Sequence, residues 1–214
     1  MSETVRSGNL IIVSGPSGAG KSVLVTNALR SLPHLKFSVS YTTRAPRGKE
    51  QNGVEYFFVD RAGFQSLIQS GDLLEWAEVH GNYYGTSRTF VDNLLAQGED
   101  VILDIDVQGA RILRQKRTDA VGIFVLPPSY QVLRDRLQRR SLDDTIVIEQ
   151  RLKIAREEIH HYTEYDYLII NEDLGAAAQE LQSIIISARC RIQAKMHSAR
   201  SIFATFGGMD AKDS

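Results

Sequence analysis

The sequence predicts an α/β fold with three layers, in which helices cover both faces of a parallel sheet. Two observations predict this class. Short and almost continuously apolar strands recur along the chain, and helical segments alternate with them. Strands of a parallel sheet have this apolar character because both of their faces are buried under helices.

The core elements can be assigned in chain order. NLIIVSG (9–15) predicts a buried strand, and a glycine-rich turn with a helix over about residues 21–31 follows it. The later segments continue the alternation: a strand in DVILDID (100–106), a helix near 108–115, a strand in AVGIFVLPP (120–128), a strand in YDYLIINED (165–173), and a long helix from about 175 to 196.

Two regions depart from this alternation. Residues of about 36–98 mix strand and helix signals with polar aromatic residues, which indicates an inserted lobe. Residues of about 134–157 predict an arginine-rich helix, a polar break at SLDDT and a second helix with Ile148, Leu152, Ala155 and Ile159 on one face. The core is then expected at about 7–35 and 99–190, and residues 203–214 are expected to be disordered.

The amino-acid composition limits the kinds of function that the protein can have. The 214 residues are 43% hydrophobic with a net charge of −1, so nothing favours non-specific binding to nucleic acid or membrane. A single cysteine, Cys190, excludes an internal disulfide, and no apolar run approaches a membrane span. The beginning, MSETVRSGN, lacks the apolar core of a signal peptide, so a cytoplasmic protein is expected.

The stretch GPSGAGKS satisfies the phosphate-loop pattern G-x-x-x-x-G-K-[ST] between a predicted strand and a predicted helix. The loop should bind a nucleoside triphosphate through backbone N–H groups. Its expected nucleotide-binding residues are Gly15, Pro16, Ser17, Gly18, Ala19, Gly20, Lys21 and Ser22. Lys21 should reach the β- and γ-phosphates, and the Ser22 hydroxyl should bind Mg²⁺. Asp104, at the end of VILD, is the matching metal carboxylate, although such an Asp is often only a helix cap.

A second anion site is predicted in TTRAPRGKEQNGVEY (42–56). Arg44 and Arg47 are three residues apart on a loop stiffened by Pro46, which suits a bidentate grip on phosphate. Two solvated surface arginines are the alternative.

EWAEVHGNYYGTS (75–87) does not alternate like a strand, and its glycines interrupt a helix, which indicates an irregular loop. The simplest interpretation of that stretch is a surface loop anchored by its aromatic residues.

The phosphate loop, SYTTRAPR (40–47), EWAEVHGNYYGT (75–86), LDIDVQG (103–109) and the arginine-spaced region after PPS (127–129) together resemble guanylate kinase, in order and in spacing. The resemblance covers about residues 7–190 and is closest to the bacterial form. It implies a P-loop kinase fold with a GMP-binding lobe at 36–98 and a helical lid at 134–157. ATP, with Mg²⁺, and GMP are the implied small-molecule substrates.

The resemblance also implies site residues. Arg44 and Arg47 would hold the GMP phosphate with help from Tyr56 and Tyr84, and Glu75 would accept hydrogen bonds from guanine N1–H and the exocyclic amine. Three further residues are implied around the base: Ser40 and Thr86 on the O6 side, and Asp106 near the amino edge. Guanine does offer two adjacent donors to a carboxylate, whereas adenine would leave a buried Glu75 unpaired.

The implied lid residues are Arg136, Arg140 and Arg151, expected to close over the transferring phosphoryl group and act with Lys21 in catalysis. Asn171 would lie beside the adenine, or is simply a turn residue at a strand end. Many family members carry Gly-Arg-Gly where this chain has Arg139, Arg140 and Ser141. That difference leaves open which arginine faces the site.

The sequence therefore predicts an ATP:GMP phosphotransferase, with dGMP as a further expected acceptor. A binding module that has lost catalysis would have an eroded phosphate loop, and this loop is intact. A kinase for another nucleoside monophosphate is disfavoured by Glu75 and Asp106. The oligomeric state is left open.

Overall fold

The computed structural model describes residues 7–79, 81–140 and 145–206, and for residues 140, 145 and 146 it describes the backbone alone. The elements in chain order are β1 (Leu10–Ser14), α1 (Lys21–Ser31), β2 (Leu35–Phe37), β3 (Ser40–Thr42), β4 (Tyr56–Phe58), α2 (Arg61–Gln69), β5 (Leu73–Val79), β6 (Asn82–Ser87), α3 (Arg88–Ala96), β7 (Asp100–Asp104), α4 (Val107–Lys116), β8 (Val121–Leu126), α5 (Tyr130–Arg140), α6 (Thr145–Glu158), a 3₁₀ helix (Ile159–Glu164), β9 (Tyr167–Ile170), α7 (Leu174–Ala188) and α8 (Ile192–Thr205).

The core is a five-stranded parallel sheet with the strand order β2-β7-β1-β8-β9. The side chains of β1 alternate between its two faces, as in any strand. Ile11 and Val13 pack with residues of α1 and α7, whereas Leu10 and Ile12 pack with residues of α3 and α4. Helices thus cover both faces of the sheet, which confirms the predicted three-layer fold.

A second sheet of four strands, in the order β4-β3-β6-β5, forms the inserted lobe together with α2. The stretch 75–87, expected to be an irregular loop, instead lies mainly in the antiparallel hairpin of β5 and β6. The prediction was wrong because the buried residues of β5 include a carboxylate, Glu75, so an apolar alternation is missing from the sequence. Gly81, with a φ of 76°, lies at the turn.

The region predicted to form a lid contains α5 and α6, which share a small apolar core of Leu133, Leu137, Ile148, Leu152 and Ala155. This cluster contains Ile148, Leu152 and Ala155, as the helical spacing predicts, whereas Ile159 lies beyond α6 in the 3₁₀ helix and is not part of the cluster. The polar break over residues 141–144 lies outside the described residues.

The end of the chain differs from the prediction of one helix over 175–196. Two helices, α7 and α8, meet at Arg189, whose guanidinium donates to Asp100 Oδ2 at 2.7 Å and to the Pro33 carbonyl at 2.7 Å. This anchor ties the end of α7 to the core. The segment from Phe203 to Thr205, expected to be disordered, continues α8, and residues 207–214 lie outside the described residues.

A fifth core strand, β2, was also missed, since three residues are too few for a periodic pattern. Within the described residues, no helix combines the length and the apolar character that crossing a membrane requires.

Candidate active site

The phosphate loop connects β1 to α1 and needs its glycines for two reasons. Gly15, Gly18 and Gly20 have φ values of 135°, 90° and 99°, which side chains of L-residues rarely adopt. The loop also lies against its surroundings, because a Cβ on Gly15 would be 2.2 Å from the Val125 carbonyl oxygen. The tight packing holds the loop at the carboxyl end of the sheet, where α/β folds bind their ligands.

Lys21 and Ser22 converge on Asp104. The Lys21 Nζ donates to the carbonyl of Gly15 at 2.7 Å and lies 3.9 Å from Asp104 Oδ1. The Ser22 hydroxyl donates to Asp104 Oδ2 at 3.0 Å. The three side chains meet because β7, which ends at Asp104, pairs directly with β1, so both strands deliver their carboxyl ends to one place.

Arg136 and Asn171 support the back of the phosphate loop. The Asn171 amide donates to the Ala19 carbonyl at 2.7 Å, and the Arg136 guanidinium donates to the Asn171 carbonyl at 2.9 Å. Asn171 is only 3% exposed, and its Oδ1 has no hydrogen-bond partner among the described residues. A lid arginine is therefore already in contact with residues at the loop.

Arg44 lies in the lobe, almost buried beneath the rings of Tyr56 and Phe58 at 5.3 and 5.9 Å from their centroids. Its guanidinium donates to Glu50 Oε1 at 3.0 Å, and the backbone N–H of Arg47 donates to Glu50 Oε2 at 2.8 Å. The hydrogen bond from Arg44 lowers the pKa of Glu50 below its ordinary value. A carboxylate thus bridges the two arginine positions, which indicates that this loop can bind an anion.

Sequence reasoning missed Glu50, although its spacing gave a signal. An acid six residues after Arg44 and three after Arg47 extends the R-x-x-R pattern on the same loop. A loop folded back on itself brings these three positions together, as the two hydrogen bonds of Glu50 require.

Glu75 and Thr86 are direct partners across β5 and β6. The Thr86 hydroxyl donates to Glu75 Oε1 at 2.6 Å, with Glu75 3% and Thr86 0% exposed. Burial raises the pKa of Glu75 to about 7, and the negative charge of Asp106 adds to this effect. The hydrogen bond from Thr86 and the positive charge of Lys116 act in the opposite direction. A carboxyl group with few protein partners is therefore held in a nearly dry environment.

Asp106 faces the same region and also caps α4, since its Oδ1 accepts from the N–H groups of Gln108 and Gly109 at 2.8 and 2.9 Å. An acid at the end of a strand can cap a helix or contact residues of the phosphate loop. In this segment Asp106 caps α4, and Asp104 contacts Ser22.

Two cavities are lined by many of the predicted residues, whereas Arg44, Thr86, Arg136 and Asn171 line neither. The larger, of about 720 Å³, is lined by the phosphate loop, by Arg47 and by Arg151 from α6. The smaller, of about 200 Å³, is lined by Ser40, Tyr56 and Glu75. The residues that line both cavities are Val79, Tyr84, Asp104, Ile105 and Asp106. A molecule in one cavity would therefore adjoin a molecule in the other.

The lid also contributes residues that sequence reasoning did not assign. Glu158 and His161 line the larger cavity, and burial raises the pKa of Glu158 to about 7. Arg139 is exposed at the end of α5. The side chain of Arg140, which was predicted to be a lid arginine, is not among those that the structure describes. Of the other predicted lid arginines, Arg136 donates to the carbonyls of Ala19 and Asn171, and Arg151 lines the larger cavity.

Comparisons with known proteins agree on one family. A family model described as guanylate kinase matches residues 7–188. The chain is 51% identical over 188 residues to the guanylate kinase of Koribacter versatilis, covering 86% of this chain and 81% of that protein. It is 50% identical over 184 residues to the guanylate kinase of Methylobacillus flagellatus, covering 86% and 91%. The crystal structure of guanylate kinase from Anaplasma phagocytophilum superposes with a TM-score of 0.71 and 36% identity, covering 87% of this chain and 88% of that one.

Proposed function

The chain belongs to the guanylate kinase family, and from that premise we propose how its residues divide the transfer of the γ-phosphoryl group of ATP to GMP. The observation that carries the proposal is the buried carboxyl of Glu75 in a cavity that shares a wall with the phosphate-loop cavity. Phosphoryl transfer needs positioning and charge neutralisation more than a covalent catalyst. The residues are therefore assigned by the charge or the donor that each can stabilise.

The phosphate loop binds the phosphates of ATP. The glycine conformations leave backbone N–H groups free to turn toward an anion, and the N-terminus of α1 adds a favourable dipole. Lys21 lies over the loop, with its ammonium group in hydrogen-bond reach of the Gly15 carbonyl. From there it would neutralise charge on the transferred group. Asn171 is proposed to lie beside the adenine, because its Nδ2 donates to the Ala19 carbonyl of the phosphate loop.

Ser22 and Asp104 are the proposed protein ligands of Mg²⁺. Their oxygen atoms are hard ligands 3.0 Å apart beside the phosphate loop, a donor set that fits this ion. Proteins usually bind Mg²⁺ through one or two such groups together with substrate phosphates and water. The ion would supply charge neutralisation at the phosphates of ATP.

The acceptor nucleotide occupies the smaller cavity with its phosphate toward the larger one. Arg44, Arg47, Tyr56 and Tyr84 bind this phosphate, and the two arginine positions already share a carboxylate from Glu50. Arg44 is held by Tyr56 and Phe58, so its planar fork is prepared before the substrate arrives.

Glu75 accepts hydrogen bonds from guanine N1–H and the exocyclic amine, and Asp106 lies near that amine. Ser40 lies on the O6 side of the ring, and Thr86, whose hydroxyl donates to Glu75 Oε1, orients the carboxyl from that side. Adenine has no donor at N1, so it would leave Glu75 buried and unpaired, which discriminates strongly against it. None of these contacts involves the ribose 2′-hydroxyl, and we therefore propose dGMP as a further acceptor.

The lid closes over the two nucleotides and excludes water, which suppresses hydrolysis of ATP. Arg136 and Arg151 would then neutralise the transferring group, together with Arg140. The proposed place of this reaction is the cytoplasm, where both nucleotides are available.

An assay of ADP release with GMP, dGMP, AMP, UMP and dTMP tests the proposal. GMP should be the best acceptor, dGMP should be turned over, and AMP should give a small fraction of the GMP rate. Comparable turnover of AMP and GMP would contradict the role of Glu75.

A further inference from the structure

The backbone conformation at position 109 does not require a glycine. Gly109 is the third residue of α4, where its N–H donates to Asp106 Oδ1 at 2.9 Å. The positive φ angles of the described glycines are found elsewhere, so Gly109 is an ordinary helical residue. Glycine is less favourable than alanine inside a helix, because it loses more backbone freedom on folding. The reason for glycine here must lie in its neighbours.

The neighbour is the carboxyl of Glu75. A Cβ added to Gly109 would lie 2.7 Å from Glu75 Oε2 and 3.3 Å from Glu75 Cδ. Such a carbon–oxygen separation is shorter than any normal contact, so the carboxyl would have to move. Thr86, itself 0% exposed, holds its other oxygen at 2.6 Å, so the carboxyl can move only into the smaller cavity or by losing this hydrogen bond.

The position of α4 is fixed as well. Its last residue, Lys116, donates from Nζ to the Leu74 carbonyl at 2.8 Å, directly before Glu75 in β5. At the other end, Asp106 caps the helix and lines the smaller cavity. Because α4 is tied to β5 in this way, the helix cannot simply retreat from an added side chain.

We propose that Gly109 is a positioning residue for guanine selection: its missing side chain leaves the space that the Glu75 carboxyl occupies at the back of the acceptor cavity. The inference rests on the proposed role of Glu75 as the base reader. A methyl group at position 109 would push the carboxyl into the 200 Å³ cavity or break its hydrogen bond with Thr86. Either change weakens the binding of GMP and leaves the phosphate loop intact.

The test is Gly109→Ala, with Gly63→Ala as the matched control. Gly63 is the third residue of α2, and its N–H likewise donates to the capping Asp60 Oδ1, at 2.7 Å. A Cβ there would meet Asp60 Oδ1 at 3.1 Å and Val59, neither of which lines the cavities. Gly109→Ala should raise the KM for GMP about tenfold or more with an unchanged KM for ATP. Gly63→Ala should change neither KM.

A double-mutant cycle with Glu75→Ala identifies the route of the effect. In the Glu75→Ala background the clash is gone, so Gly109→Ala should cause no further rise in the KM for GMP. An equal rise in both backgrounds would overturn the inference, as would an unchanged KM for GMP in the single Gly109→Ala variant.

Thermal unfolding of all variants separates folding from binding. If Gly109→Ala does not fold, the Glu75→Ala/Gly109→Ala double variant should fold, and its failure to fold would overturn the inference. The two proposals can fail separately. An unchanged KM for GMP in the single variant Glu75→Ala would overturn both the role of Glu75 in reading the base and the role of Gly109. A raised KM for GMP in Glu75→Ala together with an unchanged KM for GMP in Gly109→Ala would overturn only the role of Gly109.

Discussion

Glu75 is an acid that the fold keeps almost dry. Burial raises its pKa to about 7, so near neutral pH the empty site holds a mixture of carboxylate and carboxylic acid. A buried acid without a full set of partners lowers stability, and such groups concentrate at functional sites. The donors of a guanine ring would complete the hydrogen bonding and favour the carboxylate.

Replacement of Glu75 by Gln tests recognition at this residue. The amide can still accept from Thr86, but it has no charge for the two guanine donors. The KM for GMP should rise by roughly 10- to 100-fold, the loss expected for charge-assisted hydrogen bonds, with the KM for ATP unchanged. Steady-state kinetics with each substrate varied in turn measures both, and an unaltered response to GMP would count against the base reader.

The same replacement predicts a pH-dependent gain in stability. The folded pKa of Glu75, about 7, lies above the ordinary value of 4.5, so the folded state binds a proton that the unfolded chain has lost between these values. The stabilisation from that proton is fully present below pH 4.5 and is lost as the pH rises through 7. A neutral Gln avoids this loss, so Glu75→Gln should be more stable than the unmodified chain by about 1–3 kcal/mol at pH 8.

Denaturant unfolding of both proteins between pH 4.5 and 8 measures this difference, which should vanish at the acid end. Glu158, whose pKa is also raised to about 7, titrates in the same window but is common to both proteins. Parallel pH profiles for the two proteins would show that Glu75 is not a buried acid of this kind.

A substitution of Arg44 tests whether the geometry or the charge of this side chain matters for binding the acceptor phosphate. Arg44→Lys keeps the charge but loses the planar fork and its packing beneath Tyr56 and Phe58. The KM for GMP should rise about tenfold or more without a change in the KM for ATP. Arg61→Lys is the control, because Arg61 also lies over a tyrosine ring, that of Tyr83 at 5.2 Å, but its guanidinium donates to the Gly81 carbonyl at 3.0 Å and not to Glu50. Equal effects of the two substitutions would argue against a specific phosphate grip.

At the scale of elements, the lid helices α5 and α6 have a small core of their own. Leu152 is 1% exposed within it, so Leu152→Ala should destabilise the lid by about 2–5 kcal/mol. Arg136 and Arg151 would then be held less firmly, and kcat should fall by about tenfold to a hundredfold. Hydrogen exchange should show faster exchange of the amides in α5 and α6.

Leu181→Ala is the control for this prediction, since Leu181 is 0% exposed in the main core between the sheet and α7. It should lower the global stability without selective exchange in the lid. Loss of lid protection in both variants would mean that the lid does not unfold as a separate unit.

The elements also show what a single sequence can predict. The core strands and the phosphate loop were predictable because apolar runs and glycine patterns are local signals. The hairpin of β5 and β6 was not, since the buried carboxyl of Glu75 interrupts its apolar face. The break between α7 and α8 depends on a distant contact from Arg189 to Asp100, which leaves no trace in the local pattern.

At the scale of the whole molecule, the core sheet and the inserted lobe each contribute one cavity wall, and α4 lies behind both. Sequence and family resemblance predicted the residues that line these cavities, such as Lys21 and Glu75. Glu50 and Gly109 were not assigned, because Glu50 contacts two arginine residues and lines neither cavity, and Gly109 has no side chain. Residues that act through neighbours become visible only when the neighbours are located.

A crystal structure of the protein with GMP tests the central claim most directly. The guanine N1 should lie about 3 Å from a carboxylate oxygen of Glu75, with the phosphate between Arg44 and Arg47. A guanine ring bound elsewhere, with Glu75 still paired only to Thr86, would contradict the assignment of the smaller cavity as the acceptor site.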